Sequence, residues 1–126
     1  AFAPEPLVAA EGNQRVLIEQ GEAAARSLLA RTDFSALFVS LDIFALGALK
    51  ALREAGRSVP GDVAVMGFDD IAMSAVVSPS LSTVAQPHHE MGRLAVATLI
   101  DQLRVGFQGQ PTHHVLGHRL VIRESA

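Results

Sequence analysis

The sequence contains no cysteine, no tryptophan and no tyrosine, and its aromatic rings other than histidine are six phenylalanines. The absence of cysteine excludes disulfide bonds, thiol nucleophiles and zinc sites built from thiolates. The scarcity of rings leaves few surfaces on which a sugar or a base could stack. Basic residues are also few. With 10 of them against 13 acidic residues, the formal net charge is −3, so we do not expect this chain alone to bind nucleic acid.

The length and composition indicate one globular domain. Of the 126 residues, 49% are hydrophobic and 18% are charged, and this apolar fraction is too high for a disordered chain. No uninterrupted apolar run approaches the ~20 residues that span a bilayer, so we expect no association with a membrane. The sequence begins at Ala1 without an initiator methionine or a signal segment, and we expect an excised or processed piece of a longer protein.

Hydrophobic periodicity predicts three amphipathic helices and five strands. The helices are predicted at 14–31, 43–55 and 88–104, and the strands at 6–10, 36–39, 63–67, 81–85 and 114–123. Asn13 and Asp42 are residue types that favour the N-cap of the first two helices, and Pro87 suits the start of the third. Gly56 and Gly106 suit the ends of the second and third helices.

Two predicted strands place carboxylates at one edge of a sheet. The strands at 36–39 and 63–67 are continuous apolar runs, which is typical of parallel strands buried on both faces. With the helix between them they form a βαβ unit, so their carboxyl ends lie at the same edge, where open α/β sheets bind ligands. Asp42, Asp69 and Asp70 follow these strands. A carboxylate there can accept hydrogen bonds from two hydroxyl groups, which suits polyols, sugars and nucleosides.

The same aspartates also have a purely structural interpretation. For Asp42 we favour helix capping over ligand contact, because it occupies the expected N-cap. Asp69 and Asp70 could form a turn, but adjacent carboxylates without a basic neighbour repel each other. We therefore expect at least one of these two to be functional.

The sequence contains no enzyme signature. A phospho-accepting receiver domain would need a lysine at the end of a strand, whereas the single lysine, Lys50, falls inside a predicted helix. The glycine-containing motifs of dinucleotide, nucleoside-triphosphate and serine hydrolase sites are absent. We predict no catalytic residue and no cofactor.

The five histidines do not predict a metal site. His114 and His118 would lie ~13 Å apart on one strand, which is too far to share an ion. His88 and His89 would diverge by ~100° at the start of a helix.

Four ordered motifs resemble the lactose/galactose-repressor (LacI/GalR) family of bacterial transcription regulators. They are S-L-D-I-F-A-L-G-A-L-K-A-L-R-E-A-G at 40–56, V-P-G-D-V-A-V-M-G-F-D-D at 59–70, S-P-S-L-S-T-V-A-Q-P at 78–87 and L-V-I-R-E-S at 120–125. The match runs in register from Gly21 to Ser125, and the order of the motifs makes it more specific than any one of them.

The resemblance implies a truncated α/β fold, namely a parallel-sheet, three-layer lobe of a type I periplasmic-binding-protein-like domain. Residues 1–126 would be the C-terminal portion of a bilobal effector-binding domain that lacks most of the N-terminal lobe and the DNA-binding helix-turn-helix. The chain would cross between lobes near 86–87, so that the helix at 88–105 belongs to the other lobe. The apolar stripe of this helix would then repack or be covered by a second copy of the chain; it comprises Met91, Leu94, Ala95 and Leu99.

The resemblance also implies ligand-binding residues. Asp69 matches the acid that binds the effector, and Gln86 matches a residue at the lobe crossing that can face the cleft. Asp42 matches the acid that follows the family's usual asparagine. Phe68 adjoins Asp69 and completes the expected ligand site.

Two positions depart from the family pattern. Leu41 occupies the position of the asparagine that commonly contacts the effector, and Val16 stands where a cleft aromatic residue is expected. These departures weaken the expectation that the ligand is a simple sugar.

Four apolar residues match the dimer surface of the family: Ile43, Ile71, Met73 and Val76. The segment 71–77 is more apolar than a solvated loop requires. Ordinary packing within the chain is the alternative.

The function that the resemblance implies is effector sensing by a cytoplasmic, homodimeric regulator. A small sugar-like or nucleoside-like metabolite would favour one of two lobe arrangements and thereby change the affinity for DNA. Operator DNA would be bound only through the absent helix-turn-helix, and no covalent chemistry is required. The first alternative is a solute-binding component of a transporter or chemoreceptor, and the second is a metal-dependent hydrolase that uses Asp69, Asp70 and His88.

Overall fold

The computed structural model describes residues 11–105 and 113–126. Its elements, in chain order, are α1 (Glu11–Leu29), β1 (Ala36–Phe38), α2 (Asp42–Glu54), β2 (Ala64–Phe68), a short 3-10 helix (Ala72–Ala75), β3 (Ser82–Ala85), α3 (His88–Val105) and β4 (Arg119–Val121). Three helices and four strands are thereby confirmed, although the last strand is much shorter than the predicted 114–123. The strand predicted at 6–10 and the predicted stop at Gly106 lie outside the described residues.

The starts of two helices differ from the prediction. α1 begins at Glu11, so Asn13 lies inside the helix and is not its N-cap. α2 begins at Asp42 itself, and its N-cap is Leu41, whose side chain makes no capping hydrogen bond. Asp42 does not cap the helix because its carboxylate accepts hydrogen bonds from buried hydroxyl groups instead. Gly56 follows α2 with a φ of 73°, which confirms it as the residue that ends this helix.

The four strands form one open sheet in the order β1-β2-β3-β4. The first three are parallel, whereas β4 is antiparallel to β3, so the sheet is mixed. In β2 and β3, Phe68 lies beside Val84. The residues that follow these two strands therefore meet at one edge of the sheet, and the predicted open α/β fold is confirmed.

One face of this sheet is covered and the other is open. Val65 of β2 is fully buried in a cluster with Leu49 and Leu52 of α2, and burying a side chain of this size stabilises the fold by roughly 1.5–3 kcal/mol. On the opposite face, Phe38 of β1 is 62% exposed. The prediction of burial on both faces is wrong for β1 within the described residues, because no described helix covers its second face, whereas β2 is half-buried on that face. The sheet and the helices on its covered face form two of the three expected layers.

The helices α1 and α2 approach each other closely. A Cβ atom added at Gly21 would overlap the backbone of Phe44, and one added at Gly47 would overlap the backbone of Ile18. Glycine at these two positions therefore permits direct contact between the helix backbones.

A charged cluster spans the outer side of the same helix pair. Glu22 of α1 accepts hydrogen bonds from Lys50 of α2 over 2.6 Å and from Arg26 over 2.9 Å. The hydrogen bond from Lys50, followed by that from Arg26, lowers the pKa of Glu22 from its usual value. The single lysine of the chain thus lies within a helix, as predicted. It forms an exposed ion pair with Glu22.

The helix α3 is exposed over most of its length. Met91, Ala95 and Leu99 are exposed, and Leu94 is half-buried. The described part of the chain does not seal this apolar stripe, so its coverage by a second copy stays a prediction. Among the described residues, no helix combines the length and the hydropathy needed to span a membrane.

Candidate functional site

The carboxyl ends of β2 and β3 bring Asp69 and Gln86 into contact. Each of these residues is the first beyond its strand. Gln86 Nε2 donates a hydrogen bond to Asp69 Oδ1 over 2.5 Å, and the Asp69 N–H donates to the Val84 carbonyl over 2.9 Å. Two of the predicted ligand-binding residues therefore lie together at the edge where open α/β sheets bind ligands.

The backbone that carries Asp69 is unusual. Asp69 has a φ of 116° and Asp70 a φ of 52°, in a region that residues with side chains rarely adopt. Such conformations cost on the order of 1–3 kcal/mol each and persist only where the surrounding structure imposes them. The chain bends at Asp69 directly after β2, and this bend at the two aspartates, here called the Asp69 turn, is held in a strained conformation.

The two aspartates of this turn have different environments. Asp70 Oδ1 accepts a hydrogen bond of 2.6 Å from Arg123, whose second amino group donates to the Leu81 carbonyl over 2.8 Å. Arg119 lies 3.7 Å from Asp70 Oδ2. The carboxylate of Asp70 is therefore engaged by the C-terminal segment. The pairing with Arg123 was not predicted, because 53 positions separate the two residues and no local pattern links them.

Asp69 retains an available oxygen. Its Oδ1 accepts from Gln86, whereas its Oδ2 makes no hydrogen bond within the described residues, and the residue is half-buried. Within the described residues, Gln86 Oε1 also accepts no hydrogen bond, because the amino group of Gln86 is the part bound to Asp69. The pair therefore offers two acceptor oxygens to a ligand that carries hydroxyl groups.

A cavity of about 370 Å³ lies beside Gln86, which is a volume typical of small-molecule sites. Phe68 contributes an aromatic ring to its wall, and Met91 of α3 contributes an apolar side chain. The remaining lining residues are Val84, Pro87, His114, Leu116 and His118. The cavity thus combines two predicted site residues, Phe68 and Gln86, with six that were not predicted for the site, among them Met91, His114 and His118.

The positions of the histidines differ from the prediction. His114 and His118 precede β4 instead of lying on a strand, so the expected strand spacing does not apply to them. His88 Nε2 lies 3.3 Å from the carbonyl oxygen of Asp69, outside the cavity lining. In the part of the chain that the structure describes, no group of three or more metal-ligating side chains is found.

Asp42 occupies a different position from Asp69. It is fully buried, and its carboxylate accepts hydrogen bonds from Thr83, Ser74 and the backbone N–H of Ile71. The side chain of Asp42 therefore lies in the interior of the fold, away from solvent. Contact between Asp42 and a ligand stays a prediction that this burial does not support.

The residues predicted for a dimer surface are partly exposed. Met73 is 52% exposed and Val76 74% exposed, whereas Ile43 and Ile71 are half-buried. A cavity of about 420 Å³ separates the outer side of α2 from the segment that ends at Pro79. Neither Met73 nor Val76 lines this cavity, so their exposure is the observation that bears on the predicted surface.

Neither of the two departures from the family pattern, Leu41 and Val16, lines the second, more apolar cavity of the fold. Leu41 is half-buried and Val16 is exposed. The cavity, of about 480 Å³, lies between α1, β1 and α2 and shares no lining residue with the cavity beside Gln86. Its walls are mainly small or apolar residues such as Ala24, Leu28 and Phe44. We assign the candidate site to the cavity beside Gln86, because Gln86 lines it and donates a hydrogen bond to Asp69, whose Oδ2 is available.

Comparison with known families gives one clear match. Residues 5–126 match the family described as periplasmic binding protein-like domain. The chain is similar to the HTH-type transcriptional regulator CelR of Thermobifida fusca, with 41% identity over 108 residues, which cover 85% of this chain and 32% of the regulator. The chain thus spans about a third of the length of that relative.

Solved structures of transcriptional regulators are also similar to this chain. The transcriptional regulator CelR in complex with cellobiose has a TM-score of 0.81 and 40% identity, and the match covers 86% of this chain and 33% of that one. A putative transcriptional regulator of the LacI family from Sanguibacter keddieii has a TM-score of 0.79 and 41% identity, with coverages of 86% and 40%.

Proposed function

Because this chain belongs to the periplasmic binding protein-like domain family, in the form found in LacI-family regulators, we propose that it senses a small hydroxyl-bearing effector for a transcriptional regulator. The resemblance to the lactose/galactose-repressor family is thereby confirmed. The relatives are regulators, so neither a solute-binding transporter component nor a metal-dependent hydrolase is favoured. As part of such a regulator, the chain acts in the cytoplasm by reversible binding and has no catalytic role.

The observation that carries the proposal is the contact between Asp69 and Gln86. Their 2.5 Å hydrogen bond leaves Asp69 Oδ2 and Gln86 Oε1 as acceptors at the edge of the sheet. Sugars and nucleosides present adjacent hydroxyl groups that can donate to such a pair. Phe68, which lines the cavity next to Gln86, supplies a ring for the apolar face of the ligand.

The effector is chemically closer to a polyol than to a phosphate. Asp69 and Gln86 offer acceptors, which a phosphate group needs donors to complement, and the charge of Asp69 repels a phosphate group. Cellobiose is bound in the similar CelR complex, which makes it the first probe to use. The apolar residues at Leu41 and Val16 remove one polar contact and one ring, so we propose that the preferred effector differs from cellobiose in size or substitution and that cellobiose binds more weakly than this effector.

The regulator acts as a homodimer through the surface that includes Ile43, Ile71, Met73 and Val76. The exposure of the apolar side chains of Met73 and Val76 supports this assignment. Operator DNA is bound by a helix-turn-helix outside this chain, and the helix at 88–105 belongs to the other lobe of the effector domain. The exposed stripe on α3 supports the latter assignment, because an apolar helix face needs a covering partner.

A thermal-shift screen of the purified protein tests the proposed ligand class. The panel contains cellobiose, other mono- and disaccharides, nucleosides, and sugar phosphates as the charged counterpart. We expect stabilisation by at least one neutral, hydroxyl-rich compound and none by its phosphorylated form. Stabilisation confined to phosphorylated or apolar compounds would contradict the proposal.

A further inference from the structure

The carboxylate of Asp42 is fully buried and accepts three hydrogen bonds from different parts of the chain. Its Oδ1 accepts from the Thr83 hydroxyl over 2.6 Å. Its Oδ2 accepts from the Ser74 hydroxyl over 2.7 Å and from the Ile71 backbone N–H over 3.1 Å. One side chain at the start of α2 thus binds both β3 and the short helix after β2.

The interior is built around this carboxylate. A Cβ atom added at Gly67 of β2 would overlap Asp42 Oδ1, so glycine at this position leaves the space that the side chain occupies. A buried carboxylate needs hydrogen-bond donors to offset its loss of water, and these three donors supply them. No Arg or Lys side chain within the described residues forms an ion pair with it. The carboxylate therefore depends on Thr83, Ser74 and Ile71.

The hydrogen bonds of Asp42 connect the candidate ligand site to the candidate dimer surface. On the first side, Thr83 Oγ1 also accepts a long hydrogen bond of 3.4 Å from the N–H of Asp70, which is adjacent to Asp69. On the second side, Ile71 and Ser74 flank Met73, whose side chain is exposed. The segment from Asp70 to Ser74 is thus linked to the carboxylate of Asp42 at both ends, through Thr83 at Asp70 and directly at Ser74.

We infer that Asp42 is a positioning residue that couples the Asp69 turn to the outer segment 71–77. One oxygen of Asp42 accepts from Thr83 and the other accepts from Ser74 and Ile71. A shift of Asp70 relative to β3 therefore changes the hydrogen bond from Thr83 to Asp42 Oδ1. The carboxylate then changes its hydrogen bonds to Ile71 and Ser74. The inference rests on the proposed function in one respect, namely that the Asp69 turn binds a ligand and that segment 71–77 forms a dimer surface. The coupling itself can be measured without a ligand.

Amide hydrogen exchange of the purified protein without ligand tests the coupling directly. Thr83→Val removes the hydroxyl and keeps the shape, Thr83→Ser restores a hydroxyl, and Ser82→Ala removes a neighbouring hydroxyl that bonds to Arg123 instead of Asp42. In Thr83→Val we expect the amides of Ile71 and Ser74 to exchange about tenfold faster relative to those of α1, the size expected for a weakened hydrogen bond to a charged group. Thr83→Ser and Ser82→Ala should leave this ratio close to that of the unmodified protein.

Two outcomes would overturn the inference. One is an unchanged ratio in Thr83→Val, and the other is an equal change in Ser82→Ala, which would indicate general loosening of β3. If Thr83→Val does not fold, Ser74→Ala interrupts the other side, and the amide of Asp70, which donates to Thr83, should then exchange about tenfold faster relative to α1. An unchanged Asp70 amide in that variant would equally contradict the coupling.

A second measurement separates this inference from the proposed function. With cellobiose as the probe, binding to the unmodified protein should slow exchange in 71–77, and binding to Thr83→Val should no longer do so. If cellobiose and the rest of the sugar panel do not bind, the proposed function fails while the ligand-free exchange experiment still decides on the coupling. If sugar binding slows exchange in 71–77 equally in both proteins, the coupling does not pass through Asp42.

Discussion

Arg123 donates a hydrogen bond of 2.6 Å to Asp70 and so connects the C-terminal segment to the turn that carries Asp69. The same guanidinium donates to the Leu81 carbonyl over 2.8 Å, which fixes its plane. Both side chains are about four-fifths buried, with exposed fractions of 19% and 21%. This pair therefore contributes to holding Asp69 and Asp70 in their strained backbone conformation.

Replacing Arg123 is expected to weaken both the fold and the site. In Arg123→Gln, Asp70 loses its closest cationic partner, and we expect a loss of about 1–3 kcal/mol in the free energy of unfolding. Urea unfolding measures this loss. Arg31→Gln, which changes an exposed residue after α1, is the control and should differ from the unmodified protein by less than about 0.5 kcal/mol. Equal stability of the two variants would show that the pair with Asp70 does not support the turn.

The space that Asp42 occupies gives a second prediction. In Gly67→Ala the new methyl group overlaps Asp42 Oδ1, so we expect a loss of about 1–3 kcal/mol in urea unfolding from overpacking. Gly92→Ala provides the matched control, because an added Cβ there meets no atom within 4 Å. In the middle of α3 the control should be neutral or slightly stabilising, by up to about 1 kcal/mol. A neutral Gly67→Ala would contradict the close approach of Asp42 to β2.

The lowered pKa of Glu22 predicts a pH window for stability. Hydrogen bonds from Lys50 and then Arg26 lower this pKa from 4.5, so folding favours the ionised form. The stabilisation is therefore complete above the unfolded-state pKa and is lost as the pH falls through the lower folded-state pKa. We expect Glu22→Gln to lower the urea midpoint at pH 7 and to have a smaller effect as the pH falls below 4.5.

The partner variant provides the control for this pH dependence. Lys50→Gln removes the donor that contributes most to the pKa shift of Glu22. Its effect on the urea midpoint should diminish over the same acidic range. A Glu22→Gln effect that stays constant from pH 7 to acid would show that the pair with Lys50 does not produce the shift.

The exposed side chains of the outer segment predict a change in oligomeric state. Met73→Glu combined with Val76→Glu places charges on the proposed dimer surface, and we expect light scattering to report a monomer where the unmodified protein is a dimer. Val115→Glu is the control, since Val115 is 96% exposed and lies outside that surface. A dimer that persists in the double variant, or dissociation by Val115→Glu, would place the interface elsewhere.

The sequence predicts the element order and the edge of the sheet better than it predicts burial or hydrogen bonding. Periodicity and turn residues such as Gly56 are local, and the position of Asp69 at the edge of the sheet follows from parallel strands, whereas Gln86 was identified by the resemblance to a family. Burial on both faces of β1 was a wrong prediction, because the apolar run indicates a partner layer that the described residues do not include. Phe38 is exposed for this reason.

The roles of the three aspartates could not be separated from the sequence alone. Asp42 fits an N-cap by residue type, yet its hydrogen bonds go to Thr83 and Ser74, which lie 41 and 32 positions away. Asp70 pairs with Arg123 across a similar gap in sequence. Such contacts depend on the three-dimensional arrangement of β3 and the C-terminal segment, and no local pattern encodes them. The resemblance to a family identified Asp69, but did not show that Asp70 is already occupied.

Isothermal titration of the purified protein with the strongest neutral ligand from the thermal-shift screen tests the central claim most directly. Asp69→Asn removes the negative charge of the side chain that we propose to bind the ligand. Asp33→Asn makes the same change on an exposed carboxylate after α1. We predict that Asp69→Asn binds about 10–100-fold more weakly, the size expected for a hydrogen bond to a charged group, while Asp33→Asn binds like the unmodified protein. Unchanged affinity in Asp69→Asn would contradict the account, because the ligand would not then be held by Asp69.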